Sequence, residues 1–268
     1  LFPRDINTFV DLFGGGFNVG INVNAKKVYY NDAMTQVVDM LEYFKIHNTE
    51  DMLNQIDEWI KLYELTKTNS EGYIEFRNYY NKCKNPLVLY TLICYSFNNQ
   101  IRFNSKGEYN MPFGKDRSSF NPSLREKFIT FINQLQNKQC NFCNKDFRDL
   151  KIEKLNKEDF VYCDPPYLIT IAAYNENGGW TEKDERDLLH KLDTLNDNEI
   201  CFALSNILEG KGRSNEILKE WSKKYNTYYL NHTYSNCNYQ KKDKNSKDIE
   251  VLITNYKADE SGVLLRNE

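Results

Sequence analysis

The spacing of apolar residues switches character twice along the 268 residues, and this constrains the fold more than any other feature. Residues 6–13 (INTFVDLF) form a β-rich run that meets Gly14, Gly15 and Gly16, so a strand, a tight loop and a short helix are predicted. A second strand is predicted over 27–31, followed by a helix over 33–46 with apolar positions at Val37, Val38, Leu41 and Phe44. From 49 to 97 the pattern becomes wholly helical, with Pro86 placed to open the last of three helices. After a further helix over 122–137, the strand and helix rhythm resumes. Strands are expected within 141–147, 159–167, 199–206, 225–234 and 247–256, and helices over 181–195 and 214–224. Alternation at both ends argues for an α/β fold: a mixed, mostly parallel sheet with helices on both faces. The mostly helical middle then reads as an insertion.

Composition narrows the class without naming a function. At 40% hydrophobic and 27% charged the chain can bury a sizeable core, which excludes disorder along its whole length. No run approaches the ~18–20 apolar residues of a membrane span. The opening LFPRDINTFV lacks the basic, apolar and small-residue pattern of a signal peptide, so a cytoplasmic protein with no membrane role is expected. The net charge of −3 gives no electrostatic case for nucleic acid by itself, although a balanced total can conceal a basic face. Seven scattered cysteines suit reduced thiols. Cys140 and Cys143 form a lone CxxC without the second ligand pair that zinc requires, so no metal is expected. Residues 98–117 break the helical block, and IRFN and EYNM around Ser-Lys-Gly read as a hairpin with a basic, Asn-rich tip.

Two segments carry chemistry. In Asp11-Leu-Phe-Gly-Gly-Gly16 the glycines let the backbone turn sharply and approach a ligand. The dinucleotide fingerprint would need a third glycine where Val19 stands, which counts against a dehydrogenase. Asp32, about 20 residues after Asp11, ends the second strand, where a carboxylate can accept both hydroxyls of a ribose. A ribose-bearing cofactor without a pyrophosphate is indicated. The second segment, Asp164-Pro165-Pro166-Tyr167, ends a strand at the edge where open α/β sheets bind ligands. Its prolines offer no N–H, so the loop presents carbonyls and a carboxylate. Such acceptors can take both protons of an amino group conjugated to a ring, and Tyr167 offers a face for a planar base.

With DLFGGG, the hairpin and DPPY in that order, the sequence resembles the Dam-like (D12 class, α-group) DNA adenine-N6 methyltransferases. DPPY alone leaves RNA, protein and cytosine-N4 acceptors open. The resemblance implies a Rossmann-like methyltransferase fold and S-adenosyl-L-methionine as cofactor. It places Asp11, Phe13 and Gly14–Gly16 at the methionine end, Asp32 at the ribose, and Asp146 and Phe147 beside the cofactor adenine. In the catalytic loop Asp164 and the Pro165 carbonyl would accept the N6 protons of a flipped adenine, beside Pro166 and with Tyr167 stacked on the base. Transfer is direct, with no cysteine nucleophile. Opening the duplex costs a few kcal/mol per extruded base, which DNA contacts must offset.

Double-stranded DNA is therefore the expected partner of a monomeric enzyme, acting alone or beside a cognate restriction endonuclease. Arg102, Asn104, Lys106, Asn110, Lys115 and Arg117 place basic and bidentate side chains around the hairpin, suited to a groove. Asn236, Asn238, Lys241 and Lys242, in a polar loop between the last two strands, are suited to clamping phosphates. The expected organisation is a catalytic domain over 1–48 and 141–256, a target-recognition insert over 49–140, and a polar tail over 257–268. One departure stands out: family members begin with a Lys-Trp-x-Gly-Gly-Lys-like segment that completes the cofactor pocket, and none precedes Leu1. Either that segment lies upstream of the sequence given, or cofactor binding is impaired. A non-catalytic DNA- or cofactor-binding module is the alternative from another class.

Overall fold

The computed structural model describes residues 1–169, 179–210, 212–230, 248–258 and 264–265. In chain order its main elements are β1 (Ile6–Asp11), α1 (Asn18–Asn22), β2 (Ala25–Asn31), α2 (Thr35–Ile46), α3 (Thr49–Leu62), α4 (Ser70–Cys83), α5 (Pro86–Tyr95), α6 (Pro122–Asn137), β3 (Cys140–Cys143), β4 (Phe160–Cys163), α7 (Glu182–Asp197), β5 (Cys201–Gly210), β6 (Arg213–Ser214), α8 (Glu216–Ser222), β7 (Asn226–Leu230) and β8 (Ile249–Thr254). They form two compact units, one of Leu1–Ala33 with Cys143–Glu268, the other of Met34–Phe142.

The first unit is built on a twisted sheet with the strand order β2-β1-β4-β5-β8-β7. β1 runs parallel to β2 and β4, and β4 parallel to β5, as helical crossovers require. β8 is antiparallel to both neighbours, β5 and β7, so β7 shares the direction of the others and β8 is the reversed strand between them. The sheet is thus mixed and mostly parallel, with the two-residue β6 antiparallel at the end of β5. Residues two apart along a strand share a face. Val10, Leu12, Val161, Cys163, Phe202, Leu204, Val251 and Ile253 bury one face against Leu188, Leu189, Leu192 and Leu195 of α7 and Leu218 and Trp221 of α8. On the other face Phe9, Phe160 and Tyr162 pack with Phe2, and Asp11 meets α1 through the Gly20 amide. Helices α7 and α8 therefore pack on one face, and the short α1 meets the other at the end of β1.

In the second unit, successive helices open on asparagine. The side chains of Asn48, Asn69, Asn85 and Asn121 accept from backbone amides in the first turns of α3, α4, α5 and α6. Such caps stabilise a helix by about 1 kcal/mol each relative to alanine. At the far end of α6, Lys45 Nζ donates to the carbonyls of Leu135, Gln136 and Lys138 at 2.8, 3.1 and 2.6 Å, a cation on the negative helix terminus. Helix α2 packs on α5 and α6, with Phe44 edge-on to Tyr90 and Phe128.

The expected hairpin takes a looser form than a ladder. It has isolated bridges at Ser96 with Phe113 and at Phe103 with Tyr109, and a turn closed by Gly107 N donating to Asn104 O at 2.9 Å. Gly107 has φ 71°, which a side chain would resist. Main-chain bonds from Asn104 N to Glu108 O at 2.9 Å and from Asn110 N to Arg102 O at 3.1 Å join its two arms, and α4 with the Lys84 that follows it grips the second arm as well. Asn81 donates to the Tyr109 carbonyl and accepts from its amide, Tyr73 and Arg77 donate to the Met111 carbonyl, and Lys84 donates to Gly107 O.

Among the described residues no helix is long and apolar enough to cross a membrane. No cluster of His, Cys, Asp and Glu suited to a metal ion occurs among them.

Candidate active site

The sheet register brings three carboxylates to one edge. Asp11 ends β1 and pairs with Tyr30 of β2 on one side and with Tyr162 of β4 on the other. Asp32 and Asp164 each lie two residues beyond those partners, so all three stand at the carboxyl ends of adjacent parallel strands, where such sheets bind ligands. The glycine loop is bent over this edge. Gly14 N donates to Asn31 O at 2.9 Å, Gly15 N to Asp32 Oδ2 at 2.9 Å, and the buried Tyr30 hydroxyl to Gly15 O at 2.7 Å. A Cβ on Gly14 would stand 2.1 Å from the Tyr30 ring, and Gly15 has φ 46°. Both glycines are dictated by geometry.

Asp11 is almost fully buried and accepts from Gly20 N at 3.0 Å. Burial raises its carboxyl to about 7, and the charges of Asp164 and Asp32 add to the rise, while the Gly20 bond opposes it. A carboxyl held that high in the folded chain, against about 3.9 unfolded, favours folding at low pH. That contribution is complete below pH ~4 and lost as pH rises through ~7. Asp11→Asn keeps an acceptor for Gly20 and removes the charge. Without added cofactor, it is expected to match wild type near pH 4 and exceed it by up to ~4 kcal/mol at pH 8. Denaturant unfolding across this range checks it, and a difference that does not change with pH would refute it.

Asp164 follows β4 in an exposed position. Its Oδ1 accepts from the Tyr167 hydroxyl at 2.9 Å. The atoms packed around its carboxyl raise it above the usual range, and bonds from Tyr167 and Ser205 partly offset this. The Tyr167 hydroxyl thus lies on the Asp164 carboxyl, a contact the motif alone did not suggest. Ser205 was also not anticipated. It lies on β5 close to the side chains of Tyr162, Asp164 and Tyr167, where its hydroxyl favours their charged forms. The period-two pattern of β5 holds the only signal for it, since Ala203 and Ser205 alternate with the core residues Phe202 and Leu204. Cys163, next to Asp164, is buried and its thiol pushed up by burial, so no thiolate nucleophile is available there.

Asp146 and Phe147 sit beside this edge. Asn31, buried at the end of β2, ties the two loops together. Its Nδ2 donates to Leu12 O at 3.1 Å and Lys145 O at 3.0 Å, and its Oδ1 accepts from Lys145 N. Phe147 is buried against Phe13 and Trp180, with ring centroids 5.4 Å away in each case. Asp146 is exposed and accepts from the backbone and guanidinium of Arg148. Asn31, Arg148 and Trp180 had no sequence signal, because each acts through a partner distant in the chain.

The hairpin residues divide by role. Arg102 Nε and Nη2 donate to the side chain and carbonyl of Asn110, both at 2.9 Å. Asn104 shapes the turn, its Oδ1 accepting from Lys106 N and Glu108 N at 3.0 Å and its Nδ2 donating to Glu108. Lys106 at the tip and Lys115 and Arg117 in the following turn are exposed. Asn236, Asn238, Lys241 and Lys242 lie outside the described residues.

A family model described as D12 class N6 adenine-specific DNA methyltransferase matches residues 1–236. The Type II methyltransferase M.FokI of Planomicrobium okeanokoites is 52% identical over 96% of this chain and 40% of its own length. The modification methylase StsI of Streptococcus sanguinis is 44% identical with the same coverage of each chain. A DNA adenine methylase of Escherichia coli is 25% identical over 74% of this chain and 70% of its own. The chain thus spans about two fifths of the first two relatives. With three carboxylates and a glycine loop on one sheet edge and a match over most of its length, the chain belongs to the D12 class of N6 adenine-specific DNA methyltransferases.

Proposed function

We propose that the chain transfers a methyl group from S-adenosyl-L-methionine to N6 of an adenine extruded from double-stranded DNA. The observation that carries this reading is the grouping of Asp11, Asp32 and Asp164 beside the bent glycine loop. The donor set fits the cofactor. A buried carboxyl raised to about 7, with two more carboxylates near it, favours a cationic ligand, and the loop closes where a ribose needs acceptors. Asp11 and Gly14–Gly16 would hold the methionine end, Asp32 the ribose, and Asp146 the adenine amino group, beside Phe13 and Phe147. When bound, the cofactor supplies a methyl group on a positively charged sulfur.

The chain's own part is orientation and proton handling. Asp164 and the Pro165 carbonyl accept the two N–H bonds of the target amino group, which lowers the cost of drawing its lone pair out of the ring. The Asp164 carboxyl, with its raised proton affinity, is suited to hold the proton the nitrogen sheds. Tyr167 stacks on the base once its hydroxyl leaves Asp164. Lys106, Lys115 and Arg117 contact phosphates, and Arg102 and Asn110 reach base edges from the hairpin. M.FokI is named a Type II methyltransferase and StsI a modification methylase, which supports a modification role, and we place it in the cytoplasm beside a restriction endonuclease.

The test is incubation of the chain with tritiated S-adenosylmethionine and either duplex DNA or RNA of matched sequence. Label recovered as N6-methyladenine in the duplex alone is the expected result. Label in RNA, in cytosine, or in neither polymer would overturn the assignment.

A further inference from the structure

We infer that Arg148 is a positioning residue: it holds Asp146 in the orientation that reads the amino group of the cofactor adenine, so selection of that ring depends on it. This rests on the proposed placement of the cofactor adenine at Asp146.

Asp146 is an exposed loop carboxylate, its side chain 51% accessible, and a carboxylate in such a place has several rotamers open to it. Here it has one. Its Oδ1 accepts from Arg148 N at 2.8 Å, and Arg148 Nη1 spans Oδ1 at 3.2 Å and Oδ2 at 3.0 Å. A carboxylate offers about four acceptor positions, so one on Oδ2 stays open among the described residues.

The guanidinium is itself fixed by helix α7. Its Nε donates to Asp187 Oδ2 at 2.7 Å and its Nη2 pairs with Asp184. Asp184 in turn closes a capping box with Thr181 at the start of α7, and Asp187 is paired with Lys183. Burial opposes the charge of Asp184, yet the bonds from Thr181 and Arg148 outweigh it and bring that carboxyl down to about 2. The guanidinium also lies over the Phe147 ring, 4.5 Å from its centroid. A rigid planar fork with three nitrogens on three carboxylates leaves one edge aimed at Asp146, which a lysine cannot reproduce.

The test compares binding of S-adenosylhomocysteine with that of S-inosylhomocysteine, which lacks the exocyclic amino group, by calorimetry on the full chain. Wild type is expected to prefer the adenosyl ligand and Asp146→Ala to lose that preference. Arg148→Ala is expected to reduce the preference about tenfold, with Arg148→Lys intermediate. Should Arg148→Ala fold poorly in a thermal melt, Arg148→Lys and Asp187→Ala, which removes the Nε anchor together with the exposed Lys183 pair, are each expected to lower the ratio severalfold. A purely structural role would weaken both ligands equally and leave the ratio unchanged. That result in the Arg148 variants, with the preference lost in Asp146→Ala, overturns the inference alone. A preference that survives Asp146→Ala overturns the placement of the cofactor adenine together with the inference.

Discussion

Asp164→Ala is expected to lower the rate of methyl transfer about 10³-fold or more while leaving DNA binding close to wild type. The carboxyl stands just after β4, is exposed to incoming substrate, and is already oriented by the Tyr167 hydroxyl. Alanine removes the acceptor and leaves the strand, the prolines and the glycine loop untouched. Single-turnover kinetics with a gel-shift control would separate chemistry from binding, and a variant that methylates at near wild-type rate would end the catalytic assignment. The same carboxyl sets a pH dependence. Because the atoms packed around it raise it, it protonates at a higher pH than an ordinary aspartate, and a protonated carboxyl accepts poorly. On acidification the single-turnover rate should therefore begin to fall above the usual carboxylate range.

Gly14→Ala is the second large effect, and it acts on cofactor binding. The added methyl would lie 2.1 and 2.4 Å from two atoms of the Tyr30 ring. Tyr30 is fully buried and tethered through its hydroxyl to Gly15 O, so the ring cannot swing aside without breaking that bond. The loop must move instead, and the bond from Gly15 N to Asp32 goes with it. Overpacking of this kind costs about 1–3 kcal/mol of stability. Loss of the preformed loop should weaken cofactor binding about 100-fold or more. Gly15→Ala is the control: nothing lies within 4 Å of its added methyl, and the positive φ alone costs about 1–2 kcal/mol. Calorimetry and thermal melts of both variants measure the contrast, and equal effects would refute the steric argument.

Much of the fold was legible because it is written in local periodicity. The β-rich run ending at Asp11, the apolar spacing of α2 and α7, and Pro86 and Pro122 at helix starts each depend on neighbours close in sequence. The reversed strand β8 was not, since strand direction depends on pairing across the chain. The site divides in the same way. Glycines and a carboxylate after strands mark Asp11, Asp32 and Asp164 in the sequence, whereas Asn31, Arg148, Trp180 and Ser205 earn their places through partners up to 114 residues away. At the hairpin, glycine and the alternation around it located the turn. That Asn104 builds the turn and that Arg102 binds Asn110 depends on rotamers, which residue type does not fix.

The way α4 holds the hairpin has a further consequence. Asn81, Tyr73, Arg77 and Lys84 grip main-chain atoms of residues 107–111, and every residue but proline carries the same main-chain atoms. The shape of the tip is therefore indifferent to the identity of its outward residues, Ser105 and Lys106. Exchange of those side chains alters the chemistry the tip presents without a refolding penalty.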